Sequence, residues 1–158
     1  GTLDYLDACV NEALRLKPVA PLIGLEALID TTLAGVRVPA GTQVICVMRH
    51  GRVGERQVAG AHEFDPQRWL ATPDQRLAMP FGAGPRICPG RALALLESKL
   101  AMAMLRGNFE ITSLSTPDGG EPQEMMAFTM NPTALSMRLR VRTAVQSAAG
   151  PRSAASAV

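Results

Sequence analysis

The chain has 158 residues, of which 47% are apolar and 19% charged, and its net charge is +2. This composition is that of an ordinary globular protein with enough residues for one modest core. Because no dense run of lysines and arginines occurs, the sequence argues against a nucleic-acid-binding surface. No stretch approaches the ~18 consecutive apolar residues that predict a transmembrane helix.

The three cysteines, Cys9, Cys46 and Cys88, are widely spaced and odd in number. This spacing disfavours a disulfide framework and fits a reducing compartment, so we expect a cytoplasmic location. The CxxC, CxxCH and HExxH motifs of zinc ribbons, covalently attached haem and zinc proteases do not occur. The sequence begins at Gly1 within a helical pattern, which indicates a piece of a longer protein and leaves an upstream membrane anchor open.

The first segment predicts an amphipathic helix, because apolar residues recur every three or four positions: Leu3, Leu6, Val10, Ala13 and Leu14. Pro18 ends this helix, since a proline pushes the preceding residue out of helical space. The pattern then becomes strand-like. Val36–Val38 alternates, residues 39–41 form a turn, and residues 44–48 form a short buried run, which together predict one hairpin.

Residues 49–80 are irregular, with glycines and prolines at short intervals. A helix over residues 91–106 follows, with Gly107 at its C-terminal cap and a predicted buried face: Leu93, Leu96, Leu100, Ala103 and Met104. Phe109 and Ile111 indicate a strand, residues 116–120 a turn, and residues 135–141 a half-buried strand. The Ala/Ser-rich tail from residue 143 carries no pattern and is predicted to be disordered.

The loop from Phe81 to Gly90 is the segment most suited to chemistry. It reads Phe-Gly-Ala-Gly-Pro-Arg-Ile-Cys-Pro-Gly and ends where the helix begins. Glycines let the backbone pass close to a bulky flat ligand, and the positive end of the helix favours thiolate over thiol at Cys88. Arg86 offers a guanidinium fork for a carboxylate. Such a thiolate suits iron ligation and also suits nucleophilic attack.

The loop resembles the haem signature of cytochromes P450, Phe-x-x-Gly-x-Arg-x-Cys-x-Gly, at every fixed position. A chance match in a chain of this length has a probability on the order of 10⁻⁵. The resemblance implies haem b as the cofactor, Cys88 as the axial ligand of its iron and Arg86 as the partner of a haem propionate. It implies that the rest of the cofactor-binding loop consists of Phe81, Gly82, Gly84 and Gly90.

Other motifs occur in the order that this family has. Glu12 and Arg15 lie three apart on one helix face, where they can pair, and resemble the ExxR motif of the K helix. In the family this pair joins a later arginine, a role that Arg68 would fill, and the resulting triad is structural. Residues 38–42 resemble the family's hairpin and residues 129–132 its late substrate-facing turn.

The resemblance predicts an α+β, mainly helical fold. Residues 1–142 would form the C-terminal portion of a P450 haem domain, with K helix, hairpin, meander, cysteine loop, L helix and terminal strands, and residues 143–158 the tail. Two positions depart from the family. Leu25 stands where many members have an arginine or histidine that contacts a propionate, and His50-Gly51-Arg52 replaces a common Asp-Pro. His50 and His62 are interpreted as surface residues, and Cys9 and Cys46 as small buried ones.

The implied function is a haem-thiolate monooxygenase that inserts one atom of O2 into a small organic substrate. Electrons would come from NAD(P)H through a ferredoxin or flavoprotein reductase. The distal helix that activates oxygen would precede residue 1, so no catalytic residue is assigned and the isolated chain is expected to be inactive. One alternative is a non-catalytic haem-thiolate sensor or a decayed P450. Another is a thiol enzyme, but neither His50 nor His62 lies in a motif that would supply its base.

Overall fold

The computed structural model describes residues 2–48, 59–71 and 78–142. Its helices are α1 (Thr2–Leu16), α2 (Gln67–Ala71) and α3 (Arg91–Asn108). Its strands are β1 (Leu22–Glu26), β2 (Thr31–Leu33), β3 (Val36–Val38), β4 (Gln43–Val47), β5 (Phe109–Ser115), β6 (Glu124–Met126), β7 (Met130–Pro132) and β8 (Ser136–Val141). Helices and strands contribute similar numbers of residues. The expectation of a mainly helical chain is therefore corrected to a mixed α+β architecture in these residues.

The strands form four antiparallel pairs, and the predicted hairpin between residues 36–38 and 44–48 is wrong. β3 pairs with β2, whereas β4 pairs with β1 across the register Ile23 to Cys46. Ala34 and Gly35 both have positive φ, 48° and 84°, as a two-residue hairpin turn with the twist of its strands requires. This turn ends β2 and starts β3, so the segment after β3 returns alongside β1.

The C-terminal strands agree with the sequence pattern. β5 pairs with β8 from Phe109 opposite Val141 to Ser115 opposite Ser136, with one irregularity in register. The β6–β7 hairpin lies between them, and Met130 N donates to Val19 O at 2.8 Å. β8 was predicted to be half-buried, but all of its residues are exposed. The predicted tail at residues 143–158 lies outside the described residues.

The core centres on α1, but not on the apolar stripe that the sequence suggested. Val10 is buried as predicted, whereas Leu3 is 71% exposed and Ala13 is exposed. The helix packs against α2 and α3, and among the described residues its Glu12 and Arg15 are the largest fully buried side chains. The helix ends at Leu16, before Pro18, as predicted.

The predicted buried face of α3 is exposed in the described part of the chain. Leu93, Leu96, Leu100 and Met104 are each more than half exposed, because only α1 and β5 pack substantially against this helix. An ion pair from Lys99 to Asp7, at 2.8 Å, joins α3 to α1. The helix continues to Asn108, so Gly107 lies in its last turn rather than at the cap. Within the described residues, no helix is both long and apolar enough to cross a membrane.

Candidate functional site

The cysteine loop is held in shape by its own backbone. Cys88 N donates to Phe81 O at 2.9 Å, and Ile87 N donates to Gly84 O at 3.1 Å across a short 3-10 turn. Gly82 and Gly84 have φ values of +73° and +68°, which strain any residue that carries a Cβ. The loop conformation therefore depends on glycine at both positions, of which Gly84 is a fixed position of the motif and Gly82 is a variable one.

The loop delivers Cys88 to the start of α3. Gly90 is the N-cap residue of this helix, and Arg91 N donates to Cys88 O at 3.2 Å. The unpaired N–H groups of a helix N-terminus give this end a partial positive charge. A Cβ at Gly90 would come within 3.8 Å of Cys88 Sγ, an ordinary contact distance. A side chain at position 90 would therefore begin in contact with the sulfur.

Cys88 lines a cavity of about 510 Å³ between the loop and the β1–β4 sheet. The opposite wall contains Ile23, Leu25, Cys46 and Met48. Its volume lies within the range of roughly 300–1,000 Å³ that is usual for small-molecule sites, and its walls are mainly apolar. Cys46, interpreted from sequence as a small buried residue, is half-buried and faces this cavity.

Arg86 is the one charged residue among the described residues that line this cavity. It is exposed, and no ion pair to it occurs within the described part of the chain. Phe81 and Gly82 line the same space, whereas Gly84 and Gly90 support the loop without lining it. The structure therefore brings four of the six predicted cofactor-binding residues to one cavity: Phe81, Gly82, Arg86 and Cys88.

Glu12, Arg15 and Arg68 form a second, buried cluster. The Glu12 carboxylate is fully buried and accepts two hydrogen bonds from Arg15 at 2.8 Å and one from Arg68 Nε at 3.0 Å. Burial alone would raise the pKa of Glu12, but the hydrogen bonds from Arg15, Trp69 and the Asp65 backbone outweigh it and lower the pKa to about 2. The carboxylate is therefore charged throughout the neutral range.

The two arginines use their remaining donors on the segment that contains α2. Arg15 donates to Ala61 O at 2.8 Å and to Glu63 O at 3.2 Å, and Arg68 donates to the carbonyls of Ala59 and Gly60. These bonds satisfy backbone acceptors in a segment that has no strand partner. The geometry is that of a scaffold. Glu12, Arg15 and Arg68 do not line the cavity that contains Cys88.

Sequence reasoning missed two donors to this cluster. Trp69 Nε1 donates to Glu12 Oε2 at 2.8 Å, and Asp65 N donates to Glu12 Oε1 at 3.0 Å. The signal available in the sequence was the position of Trp69 directly after Arg68, since a buried indole N–H requires an acceptor. Trp69 also lines a second cavity, of about 260 Å³, on the side of the cysteine loop where α1 and α2 lie.

The alternative of a thiol enzyme gains nothing from this geometry. Neither described cavity beside Cys88 or its loop is lined by a histidine, and His62 lies exposed on the segment before α2. His50 lies outside the described residues. The described residues place an exposed cysteine in a mainly apolar cavity that Arg86 also lines, so the cavity can take an apolar group that carries a negative charge.

Comparison with known proteins identifies the family. The Cytochrome P450 family profile matches residues 1–139. Pluviatolide synthase of Podophyllum peltatum is 36% identical to this chain, over 87% of the chain and 29% of that protein. Pentalenene oxygenase of Streptomyces avermitilis is 34% identical, over 90% of the chain and 32% of that protein. A self-sufficient cytochrome P450 monooxygenase of Oidiodendron maius is 38% identical, over 89% of the chain and 14% of that protein.

Solved structures agree. A cytochrome P450 crystal structure superposes with a TM-score of 0.75 at 33% identity, over 87% of this chain and 32% of that one. The haem domain of cytochrome P450DA superposes with a TM-score of 0.74 at 28% identity, over 87% of this chain and 31% of that one. The chain belongs to the cytochrome P450 family. It spans about a third or less of the length of the relatives named above.

Proposed function

We propose that this chain is the part of a haem-thiolate monooxygenase that holds the cofactor from the cysteine side. The observation that carries the proposal is the exposure of Cys88 in a mainly apolar cavity with Arg86 on the same wall. The bound haem would supply the oxygen chemistry. The residues of this chain would hold it, exclude water and pair with its charge.

The cavity residues fit such a group. A cysteine sulfur is the soft anionic ligand that ligates iron in this family, and the apolar walls suit a flat hydrocarbon macrocycle. Arg86 has no ion-pair partner in the described residues, so its guanidinium is available for a porphyrin carboxylate. Leu25 lies on the facing wall, at the position where the family often carries a second cation. Arg86 would therefore be the main charged anchor here.

For the whole protein we propose insertion of one oxygen atom from O2 into a small organic substrate, with NAD(P)H electrons relayed by a ferredoxin or flavoprotein. The names of two relatives, a monooxygenase and an oxygenase, support this class of reaction. Residues that activate oxygen are not assigned to the described part of the chain. The predicted cytoplasmic location stays a prediction.

The spectrum of the full-length gene product tests the assignment of Cys88. The reduced protein under CO should show the red-shifted Soret band of thiolate ligation, and C88H should shift it to the position of histidine ligation. Cys9, on α1, does not line the cavity, so C9S is the matched control and should keep the thiolate band. A C88H spectrum identical to that of C9S would overturn the assignment.

The proposal extends to the isolated chain: residues 1–158 alone should neither retain haem stably nor oxidise a substrate. The support is the exposed apolar face of α3, whose four large side chains favour aggregation when nothing covers them. Size-exclusion chromatography and reduced-CO spectra of the expressed chain test this. A monomeric product with a stable thiolate spectrum and substrate turnover would contradict it.

A further inference from the structure

We infer that the cavity behind the cysteine loop is a binding site for a small aromatic carboxylate, separate from the space that Cys88 faces. This back cavity has a volume of about 260 Å³ and lies between α1, Trp69, the loop and the first residue of α3. This volume is slightly below the usual range for ligand sites, roughly 300–1,000 Å³. A ligand with a single ring matches that size better than an extended one.

The walls of the back cavity present ring and aliphatic surface. Trp69 and Phe81 both line it, together with Met79 and Ile87. The indole N–H of Trp69 is already bonded to Glu12, so the indole has no free polar hydrogen to offer and contributes its ring surface. Aromatic rings stack face to edge or offset on such surfaces. The body of the ligand is therefore expected to be aromatic.

The charge that the described residues present to the back cavity is positive. Arg91 is the one charged residue among its described lining residues, and none of the ion pairs within the described part of the chain includes it. It lies in the first turn of α3, which contains no acidic residue, so its charge and the helix dipole repel each other. A carboxylate beside Arg91 would relieve that repulsion, and it would meet a guanidinium fork that matches its geometry.

The back cavity shares one wall with the cavity of Cys88. Residues 79–83 line both spaces, and Phe81 O accepts the hydrogen bond from Cys88 N. A ligand behind the loop would therefore press on the residue that holds the cysteine backbone. We expect such binding to alter the environment of the sulfur without occupying the space in front of it.

Benzoate is the probe for this site, and benzyl alcohol is the neutral control of similar shape. Saturation-transfer NMR on the haem-loaded, full-length protein should detect benzoate and only weakly detect the alcohol. R91Q should weaken benzoate binding by about three- to fivefold, because Arg91 is exposed and exposed ion pairs contribute up to about 1 kcal/mol. A78L, which places a larger side chain at a residue that lines only the back cavity, should abolish binding. R106Q, in the last turn of the same helix, should leave it unchanged.

The reduced-CO spectrum is recorded for each variant, so that loss of the cofactor is distinguished from loss of benzoate binding. Benzoate binding that survives both R91Q and A78L would place the ligand elsewhere and overturn the proposal. Equal binding of benzoate and benzyl alcohol would overturn the assignment of a carboxylate. At saturating benzoate the Soret band should shift, and an unchanged band would overturn the link between the two cavities.

Discussion

Removal of the Glu12 carboxylate tests the buried cluster most directly. This group is fully buried and accepts five hydrogen bonds, from Arg15, Arg68, Trp69 and the backbone of Asp65. In E12A the Arg15 guanidinium, only 1% exposed, would keep its charge without a counter-ion. Breaking a buried pair in this way costs about 3–5 kcal/mol.

The lowered pKa of Glu12 reflects the same contacts and leads to a figure of similar size. Its lowering from 4.5 to about 2 means that the folded state favours the charged form. At 1.36 kcal/mol for each pH unit, this corresponds to roughly 3 kcal/mol of stability at neutral pH. Both estimates predict that E12A loses a large fraction of the stability of a typical domain, which is about 5–15 kcal/mol.

Urea unfolding of the full-length protein at pH 7, followed by far-UV circular dichroism, measures the loss. E110A is the matched control, because Glu110 also pairs with an arginine, Arg140, but both side chains are substantially exposed at 46% and 68%. Exposed pairs contribute about 0–1 kcal/mol. If E12A unfolds at the same urea concentration as E110A, the reasoning is refuted. Full haem content in E12A with a selective loss of turnover would instead indicate a role in catalysis.

Three further predictions follow from the same contacts. Because the folded-state pKa of Glu12 is lowered, its contribution to stability is complete above about pH 4.5 and is lost as the pH falls toward 2. The difference in urea midpoint between wild type and E12Q should therefore be smaller at pH 3 than at pH 6. G84A should destabilise by about 1–2 kcal/mol because φ is +68°, whereas G107A, inside α3, should stabilise by about 0.5–1 kcal/mol; thermal melts distinguish the two signs. W69F should cost about 1.5–3 kcal/mol in urea unfolding through one lost hydrogen bond to a charged acceptor, and an unchanged midpoint would contradict it.

Local spacing was sufficient to predict the parts of the site that lie close together in sequence. Glu12 and Arg15 are three residues apart on a helix, and Cys88 is set by a ten-residue loop that hydrogen-bonds to itself. The contact between Glu12 and Arg68 spans 56 residues, and no local pattern specifies it. It was expected only because the sequence resembled a known family.

The pairing of the strands and the burial of the apolar helix face could not be predicted in the same way. The alternation of apolar and polar residues predicted a strand at Val36–Val38 but did not specify its partner. The partner is set by the tight turn at Ala34 and Gly35, which the sequence analysis did not recognise. The apolar stripe of α3 was recognised, but a stripe indicates which face is to be covered, not what covers it. In the described residues that face is exposed.

A polar network, more than apolar packing, positions the segment around α2. The carboxylate of Glu12 collects donors from residues 15, 65, 68 and 69, and Arg15 returns hydrogen bonds to the carbonyls of Ala61 and Glu63. Few apolar side chains are fully buried near it, since the described core consists of small residues such as Ala8 and Ala61. Hydrogen bonds are directional, so this network fixes the segment at defined angles on α1. Trp69 extends from it to the back of the cysteine loop, which makes the loop's surroundings dependent on the charge of one buried carboxylate.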